Sequence, residues 1–342
     1  MSTTPSINIR KSSGLVLLRE LVKKKNPLAK KAKIEAEPEH HSVEQFIKMC
    51  EQDTKKREPE TERSYSSKIW KDFTIADKEV WLEWRAKQEL PSASMIGSYY
   101  GFGYKSFNAE FKQLVSGKVQ AEDQGTIARK MMDHGNQFEP EARQQFYSGF
   151  PGEEVTPVSD GDHCFIFDMF MKGRGGRFMA TPDCYFRIGR KHLIAEIKCP
   201  ANGIVVRKKP LFDVALEHQH CYPAGRPGHV LQAAVYALCL KCEEYYLFYY
   251  FTNGIDAYWV RHWFKMVPEM EDFLFDAIVG CWDHLEKFNE GGRVSYPKLK
   301  KAETLQRYKE KMESIVEKSL LGTMTGNNVT ELQKDAANDS EQ

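Results

Sequence analysis

The chain has 342 residues, of which 41% are hydrophobic and 28% charged, a composition typical of a soluble protein with a sizeable core. Its 49 basic and 48 acidic residues leave a formal net charge of +1, which argues against a uniformly basic nucleic-acid binder. No run of 18 apolar residues, no secretory signal and no regular cysteine spacing occur, so we expect an intracellular protein without a membrane span or a disulfide framework.

The charge is unevenly distributed along the chain. Residues 1–40 carry nine basic and four acidic residues, with the densest cluster at Lys23-Lys24-Lys25. Such a cluster is typical of a nuclear localisation signal, of a nucleic-acid-binding arm or of a solvated tail. We predict a basic, polar and disordered arm over residues 1–66, a folded domain over 67–317 and a disordered polar and acidic tail over 318–342.

The folded domain contains alternating helix and strand patterns. A helix is predicted from Asp77, a second short helix from Ser92 or Ser94, and a long helix over residues 122–148. The remaining elements are strands over 164–171, 177–188 and 192–197, a helix over 230–241, strands over 244–252 and 257–263, and a helix over 267–288. This order predicts a mixed α/β domain.

Two carboxylates are expected to meet in one hairpin. A two-residue turn that begins at Gly189 gives a register in which Asp183 lies opposite Glu196. Lys198 follows two residues after Glu196, so its side chain leaves the strand on the same face. Two facing carboxylates repel each other unless a cation lies between them.

The strand that carries Glu196 is otherwise apolar on both sides, since it reads Leu193-Ile194-Ala195 before the glutamate and Ile197 after it. A strand buried on both faces carries charge only at a cost. The pattern therefore favours a metal or catalytic site over a buried ion pair or a solvated face. Carboxylates suit Mg²⁺ or Mn²⁺, and a lysine beside them suits phosphodiester hydrolysis.

The same residues resemble a known motif. Pro182-Asp183, twelve residues and then Glu196-Ile197-Lys198 resemble the PD-(D/E)xK nuclease signature. Further matching segments are Trp81-Leu82-Glu83-Trp84-Arg85, Ser92-Ala93-Ser94, Gly135-Asn136-Gln137-Phe138-Glu139-Pro140, Cys199-Pro200 and Gln232. Together, over about residues 78–265, they resemble the lambda-exonuclease/YqaJ viral recombinase branch, which includes the alkaline nucleases of large DNA viruses.

The resemblance implies a restriction-endonuclease-like core, with a central mixed β-sheet flanked by helices, and roles for individual residues. Glu139, Asp183, Glu196 and the backbone carbonyl of Ile197 would hold the metal. Lys198 would be the catalytic lysine and Gln232 would position it or the water. Arg85 and Ser94 would bind a terminal 5′ phosphate. Without the resemblance, the sequence would favour an exposed helix glutamate at Glu139 and a buried helix amide at Gln232. Arg85 would be a surface arginine and Ser94 the N-cap of a helix.

The implied function is a Mg²⁺- or Mn²⁺-dependent nuclease that digests linear duplex DNA from a 5′ end during recombination or replication. Expected partners are DNA, a single-strand annealing or other recombination protein, and further copies of the chain. The alternatives are an endonuclease or an RNA-acting nuclease of the same fold, and a catalytically idle DNA-binding module. A departure from the branch is the long segment between Pro200 and Gln232, which contains Arg207-Lys208-Lys209 and either lines the DNA channel or forms a surface loop.

Two competing interpretations concern other residues. Cys239 and Cys242, with His218, His220 and Cys221 nearby, have a spacing that zinc could use, but small buried cysteines are the commoner outcome. The aromatic run from Tyr245 to Phe251 could stack on bases, but its continuity favours a buried strand.

Overall fold

The computed structural model describes residues 65–75, 78–103, 105–116, 126–201, 204, 208–215, 226–291 and 302–328. The named elements are nine strands and seven helices, and residues 211–215 are also helical. In chain order they are β1 (Tyr65–Thr74), α1 (Lys78–Ala86), α2 (Ala93–Tyr99), α3 (Phe107–Ser116), α4 (Thr126–Ser148), β2 (Val155–Ser159), β3 (His163–Met171), β4 (Arg174–Ala180), β5 (Cys184–Ile188), β6 (Lys191–Lys198), α5 (Pro227–Leu240), β7 (Glu244–Thr252), β8 (Ala257–Lys265), α6 (Pro268–Asn289), α7 (Ala302–Ser319) and β9 (Leu320–Asn328).

The strands form two sheets. A small antiparallel sheet has the order β1-β3-β4, and a larger one has the order β2-β5-β6-β7-β8-β9. In the larger sheet β6 and β7 are parallel and the other neighbours are antiparallel. Helix α5 connects the two parallel strands, as a parallel pair requires. The predicted mixed central sheet flanked by helices is confirmed.

Helices cover both faces of the central strands. On one face α5 packs over a cluster that includes Ile194 of β6 and Leu247 of β7. On the other face Phe146 of α4 packs with Leu193 and Phe248. Strands β6 and β7 are therefore apolar on both faces. The aromatic run from Tyr245 to Phe251 is buried core, as predicted.

The predicted hairpin register is confirmed. Ile188 pairs with Lys191, and Cys184 pairs with Ala195. In the turn between the two strands, Gly189 has φ +58° and Arg190 has a negative φ, as a type II′ turn requires. The predicted strand over 177–188 is wrong in one respect, because it is two strands in two different sheets. Pro182 lies in the break between β4 and β5, where it has no N–H to donate to a ladder.

Several elements differ from the sequence prediction. Strand β1 was not expected, because its exposed positions carry polar residues such as Lys68. Helix α4 begins at Thr126 and continues through Gly135 and Pro140 to Ser148, within the predicted helix over 122–148. The predicted tail from residue 318 is wrong for residues 318–328, which complete α7 and form β9. Strand β9 lies at the edge of the sheet, where its described neighbour is β8, and its Met324 side chain is exposed. An edge strand is not buried on both faces, so its sequence does not show the continuous apolar run of a core strand.

Apart from Tyr65 and Ser66 in β1, the predicted basic arm lies outside the described residues, and so does Asp77. In the part of the chain that the structure describes, no helix combines the length and the apolar character needed to cross a membrane.

Candidate active site

The centre of the candidate site is Glu196, near the carboxyl end of β6. It lies on the strand face that α5 covers and is fully buried. Its Oε1 is paired with the Lys198 ammonium, and its Oε2 is buried without a hydrogen-bond partner among the described residues. Burial raises the pKa of the Glu196 carboxyl, the negative charge of Asp183 raises it further, and Lys198 opposes both. An unsatisfied buried carboxylate oxygen is costly, so this position is one that a ligand would stabilise.

Asp183 is held beside Glu196 by the backbone. Asp183 immediately precedes Cys184, the first residue of β5, which pairs with Ala195 of β6. The Asp183 Oδ2 accepts a hydrogen bond of 2.7 Å from the N–H of Ile197. In a strand the N–H and C=O of one residue point to the same side, so the Ile197 carbonyl lies on the Asp183 side of β6. Asp183 is therefore held against the strand at the residue between Glu196 and Lys198, on the line of the predicted register.

Glu139 reaches the same region from α4. Its Oε1 accepts a hydrogen bond of 2.8 Å from Nη2 of Arg143, one helical turn later. Gly161, with φ +77°, lies against this pair: a Cβ there would be 3.0 Å from Arg143 Nη2, 3.5 Å from the Asp183 carbonyl oxygen and 3.6 Å from Glu139 Oε1. The turn at Gly161 thus brings the Glu139–Arg143 pair close to Asp183, and the charge of Glu139 contributes to the raised pKa of Glu196.

The carboxylates fit a divalent cation in chemistry and in charge. Three carboxylates and a backbone carbonyl are the hard oxygen donors that Mg²⁺ and Mn²⁺ prefer, and the unpartnered Glu196 Oε2 is a donor with no other use. As they stand, no three His, Cys, Asp or Glu side chains of the described ranges are gathered as a metal-binding cluster. One oxygen of each carboxylate is instead engaged by Arg143, by the Ile197 N–H or by Lys198.

Gln232 has a different partner from the one expected. It lies on α5, and its Nε2 donates a hydrogen bond of 3.0 Å to the hydroxyl of Tyr236, one turn later. Tyr236 is almost fully buried. Burial raises the pKa of its phenol, the charges of Glu196 and Asp183 raise it further, and Arg85 opposes this. Sequence reasoning missed Tyr236, although its position one turn after Gln232 was an available signal.

A second cluster centres on Arg85, whose charge acts on Tyr236. Arg85 Nη2 donates a hydrogen bond of 3.1 Å to Ser92 Oγ, which is 3.1 Å from Ser94 Oγ. Ser92 is buried and Ser94 is exposed, so this cluster opens to the surface at Ser94. Arg85 and Ser94 are thus brought together as predicted, but through Ser92, which was not assigned a role.

Arg85 is a half-buried cation. Its guanidinium lies 5.1 Å from the ring centroid of Trp81. Burial lowers the pKa of Arg85, whereas the proximity of Tyr236, Cys164 and Glu110 favours its charged form. Among them Glu110 is a carboxyl whose own pKa burial raises to about 7. A half-buried guanidinium with hydroxyls as neighbours is suited to an anion with several oxygens.

The other metal interpretation is not supported within the described residues. Cys239 and Cys242 are buried and free, and they are not part of a cluster of three potential ligands. His218, His220 and Cys221 lie outside the described residues. Burial raises the pKa of the Cys199 thiol to about 12, so this cysteine beside Lys198 is not an activated nucleophile.

No protein-family profile and no curated protein matches the sequence. Among solved structures, the chain is similar to an alkaline exonuclease from Laribacter hongkongensis, with 17% identity and a TM-score of 0.40 over 63% of this chain and 97% of that one. It is also similar to the protein SSO0001, with 11% identity and a TM-score of 0.30 over 64% of this chain and 90% of that one. Neither similarity assigns an activity to this chain.

Proposed function

We propose that the chain is a divalent-metal-dependent DNA nuclease of the PD-(D/E)xK type. The observation that carries this proposal is the buried Glu196, which has one oxygen without a hydrogen-bond partner among the described residues and the other paired with Lys198, and on whose carboxyl the charge of Asp183 acts. A protein retains such an arrangement at a cost in stability, which a bound cation and an anionic substrate would offset. The resemblance of the Pro182-Asp183 and Glu196-Ile197-Lys198 segments to the nuclease signature supports the same conclusion.

The residues would share the reaction as follows. Glu139, Asp183, Glu196 and the Ile197 carbonyl would hold Mg²⁺ or Mn²⁺, which would polarise a phosphoryl oxygen and lower the pKa of a water. Lys198 would orient the attacking water and balance negative charge on the phosphate.

The bond changes are those of hydrolysis. The water oxygen would form a bond to phosphorus and give up a proton, while the bond between phosphorus and the leaving sugar oxygen breaks and that oxygen takes up a proton. Gln232, whose Nε2 donates a hydrogen bond to Tyr236, would act on this centre from α5.

The finer proposal is digestion of linear duplex DNA from a 5′ end. Arg85, Ser92 and Ser94 form a cationic cluster with hydroxyl groups that opens to the surface, which suits a terminal phosphate. The charges of Glu196, Asp183 and Arg85 all act on the phenol of Tyr236, so the cluster and the carboxylates share this residue as a neighbour. A strand end held at Arg85 would therefore have its first phosphodiesters in the neighbourhood of the carboxylates.

The test is incubation of end-labelled linear and closed circular duplexes with Mg²⁺ or with a chelator. We expect linear DNA to be degraded only with Mg²⁺, and Lys198→Ala to be inactive. Lys191→Ala is the matched control, since Lys191 is exposed at the opposite end of the same strand and pairs with Glu244. Cleavage of circles would replace the exonuclease with an endonuclease, cleavage of RNA alone would change the substrate, and DNA binding without any cleavage would favour an idle binding module.

A further inference from the structure

A groove of about 260 Å³ lies over β8 and β9, away from the carboxylates. Its lining includes the residues Phe212, Tyr258, Thr325 and Asn327, and also Trp259, whose ring packs against Phe248 on the opposite face of the sheet. The Phe212 ring is 5.6 Å from the Tyr258 ring, and the Phe212 side chain is 55% exposed. An exposed phenylalanine in a partly polar groove is a poor core residue but a suitable contact for a flat ligand.

Strand register connects the groove to the candidate site. Lys198 pairs with Tyr249, Tyr249 with Val260, and Val260, which lines the groove, with Thr325. Tyr249 and Val260 belong to the cluster on the α5 face, which is the face of Lys198. The groove is therefore on the same face and at the same end of the sheet as Lys198.

The separation matches a short length of nucleic acid. Two strand spacings of about 4.8 Å place β8 about 10 Å from β6. At a rise of about 3.4 Å per nucleotide along one strand of a duplex, this distance corresponds to about three nucleotides. A strand whose phosphodiester lies at Glu196 would reach Phe212 within a few residues.

The charge next to the groove suits the same occupant. Lys208 and Lys209 precede Phe212 by four and three residues, and Lys208 is exposed. Basic side chains beside exposed aromatic rings are the combination that binds single-stranded nucleic acid without strong sequence preference. These residues belong to the long segment between Pro200 and Gln232, for which the sequence left open a role in the DNA channel.

We propose that this groove is a nucleotide-binding subsite, in which a base of the DNA strand stacks on Phe212 and Tyr258 while Lys208 lies near the backbone phosphates. The location of the subsite rests on the proposed nuclease function, but its binding does not require catalysis. Thr325 and Asn327 offer hydrogen-bonding groups at the edge of the base.

The experiment measures binding of the full chain, in chelator, to a fluorescent dT 12-mer and to a 12-mer of the same length made only of abasic residues. We expect Phe212→Ala to weaken binding of the dT strand by about 5- to 100-fold and to leave the abasic strand unchanged, because only the dT strand has bases to stack. Lys208→Ala should weaken both strands equally, and Phe212→Trp should restore binding of the dT strand.

Phe288→Ala is the matched control, because Phe288 is an exposed phenylalanine on α6 that contacts Phe111 and not the groove. The subsite is overturned if Phe212→Ala behaves like Phe288→Ala, if it weakens both strands equally, or if the wild-type chain does not distinguish the two strands. A chain that passes this test but does not cleave DNA with Mg²⁺ would retain the subsite and lose the proposed nuclease function.

Discussion

The carboxylates around Glu196 and the cluster around Arg85 are both charged regions of the folded domain, but their central charges are compensated differently. The half-buried Arg85 has a hydroxyl acceptor in Ser92 and an aromatic ring in Trp81. The fully buried Glu196 has one oxygen paired with Lys198 and one with no hydrogen-bond partner among the described residues. Glu110 Oε2, near Arg85, is likewise buried without a partner among the described residues, so the difference lies in the two central groups: the guanidinium is already paired, whereas the Glu196 carboxylate is only half paired.

The largest expected effect comes from the unsatisfied carboxylate. Glu196→Gln should lower the rate of DNA cleavage by at least about 100-fold, because the amide cannot supply the second negative charge beside Asp183. Single-turnover degradation of linear duplex measures this rate. Glu244→Gln, which changes the half-buried partner of Lys191 at the opposite end of β6 and β7, serves as the control and should retain full activity. Equal rates for the two variants would remove Glu196 from the reaction.

The second effect tests the cationic region. Arg85→Gln should reduce the preference for 5′-phosphorylated over unphosphorylated duplex ends by about 10- to 100-fold, because charge-assisted hydrogen bonds to the phosphate are lost. The ratio of cleavage rates on the two substrates is the measurement, and Arg187→Gln on the exposed side of β5 is the control. A preference that survives in Arg85→Gln would place the phosphate elsewhere.

The third effect is on stability and concerns the carboxyl near Arg85. Burial raises the pKa of Glu110 to about 7, with Lys105 and Arg85 opposing the rise. A carboxyl whose pKa is raised in the folded state contributes stability below its ordinary pKa of 4.5, and that contribution is lost as the pH rises through 7. Glu110→Gln should therefore be more stable than wild type by about 2 kcal/mol at pH 9 and nearly equal to it at pH 5.

Urea unfolding at both pH values measures this difference, with the exposed Glu83→Gln as the control. If the difference is the same at both pH values, Glu110 ionises normally and acts as a counter-ion to Arg85. In that case the Arg85 cluster, like the Glu196–Lys198 pair, would contain an ionised carboxylate beside a cation.

The smallest effect concerns the residue that holds Glu139. Arg143→Gln should reduce cleavage by about tenfold, because Glu139 loses its charge-assisted hydrogen bond beside Asp183. Arg143→Lys should recover part of the rate, and Arg129→Gln, an exposed change on the same helix, should have no effect. Full activity in Arg143→Gln together with an inactive Glu139→Gln would show that Glu139 is positioned without Arg143.

Local sequence was sufficient for the hairpin. The Gly189 turn and the alternation of side chains in β5 and β6 specify which residues face each other, so the register was predictable from Ile188 and Lys191 onwards. Strands β1 and β9 were not predictable in the same way. Both are edge strands, each pairing with one neighbour, and their polar exposed positions are also compatible with a coil.

The sequence by itself determined the chemistry: Asp183, Glu196 and Lys198 at their spacing, an apolar strand between them, and the mixed α/β order of the elements. Only the tertiary structure decided which side chains from other elements lie next to these three residues. Glu139 meets Asp183 because α4 packs across the sheet and the Gly161 turn closes against Arg143, contacts between residues far apart in the chain.

The same reason applies to Gln232, whose partner is Tyr236. The side on which a strand residue points follows from its position in the sequence, because side chains alternate along every strand. The position of a helix over a sheet depends on how all the core side chains pack together, which a short stretch of sequence does not specify.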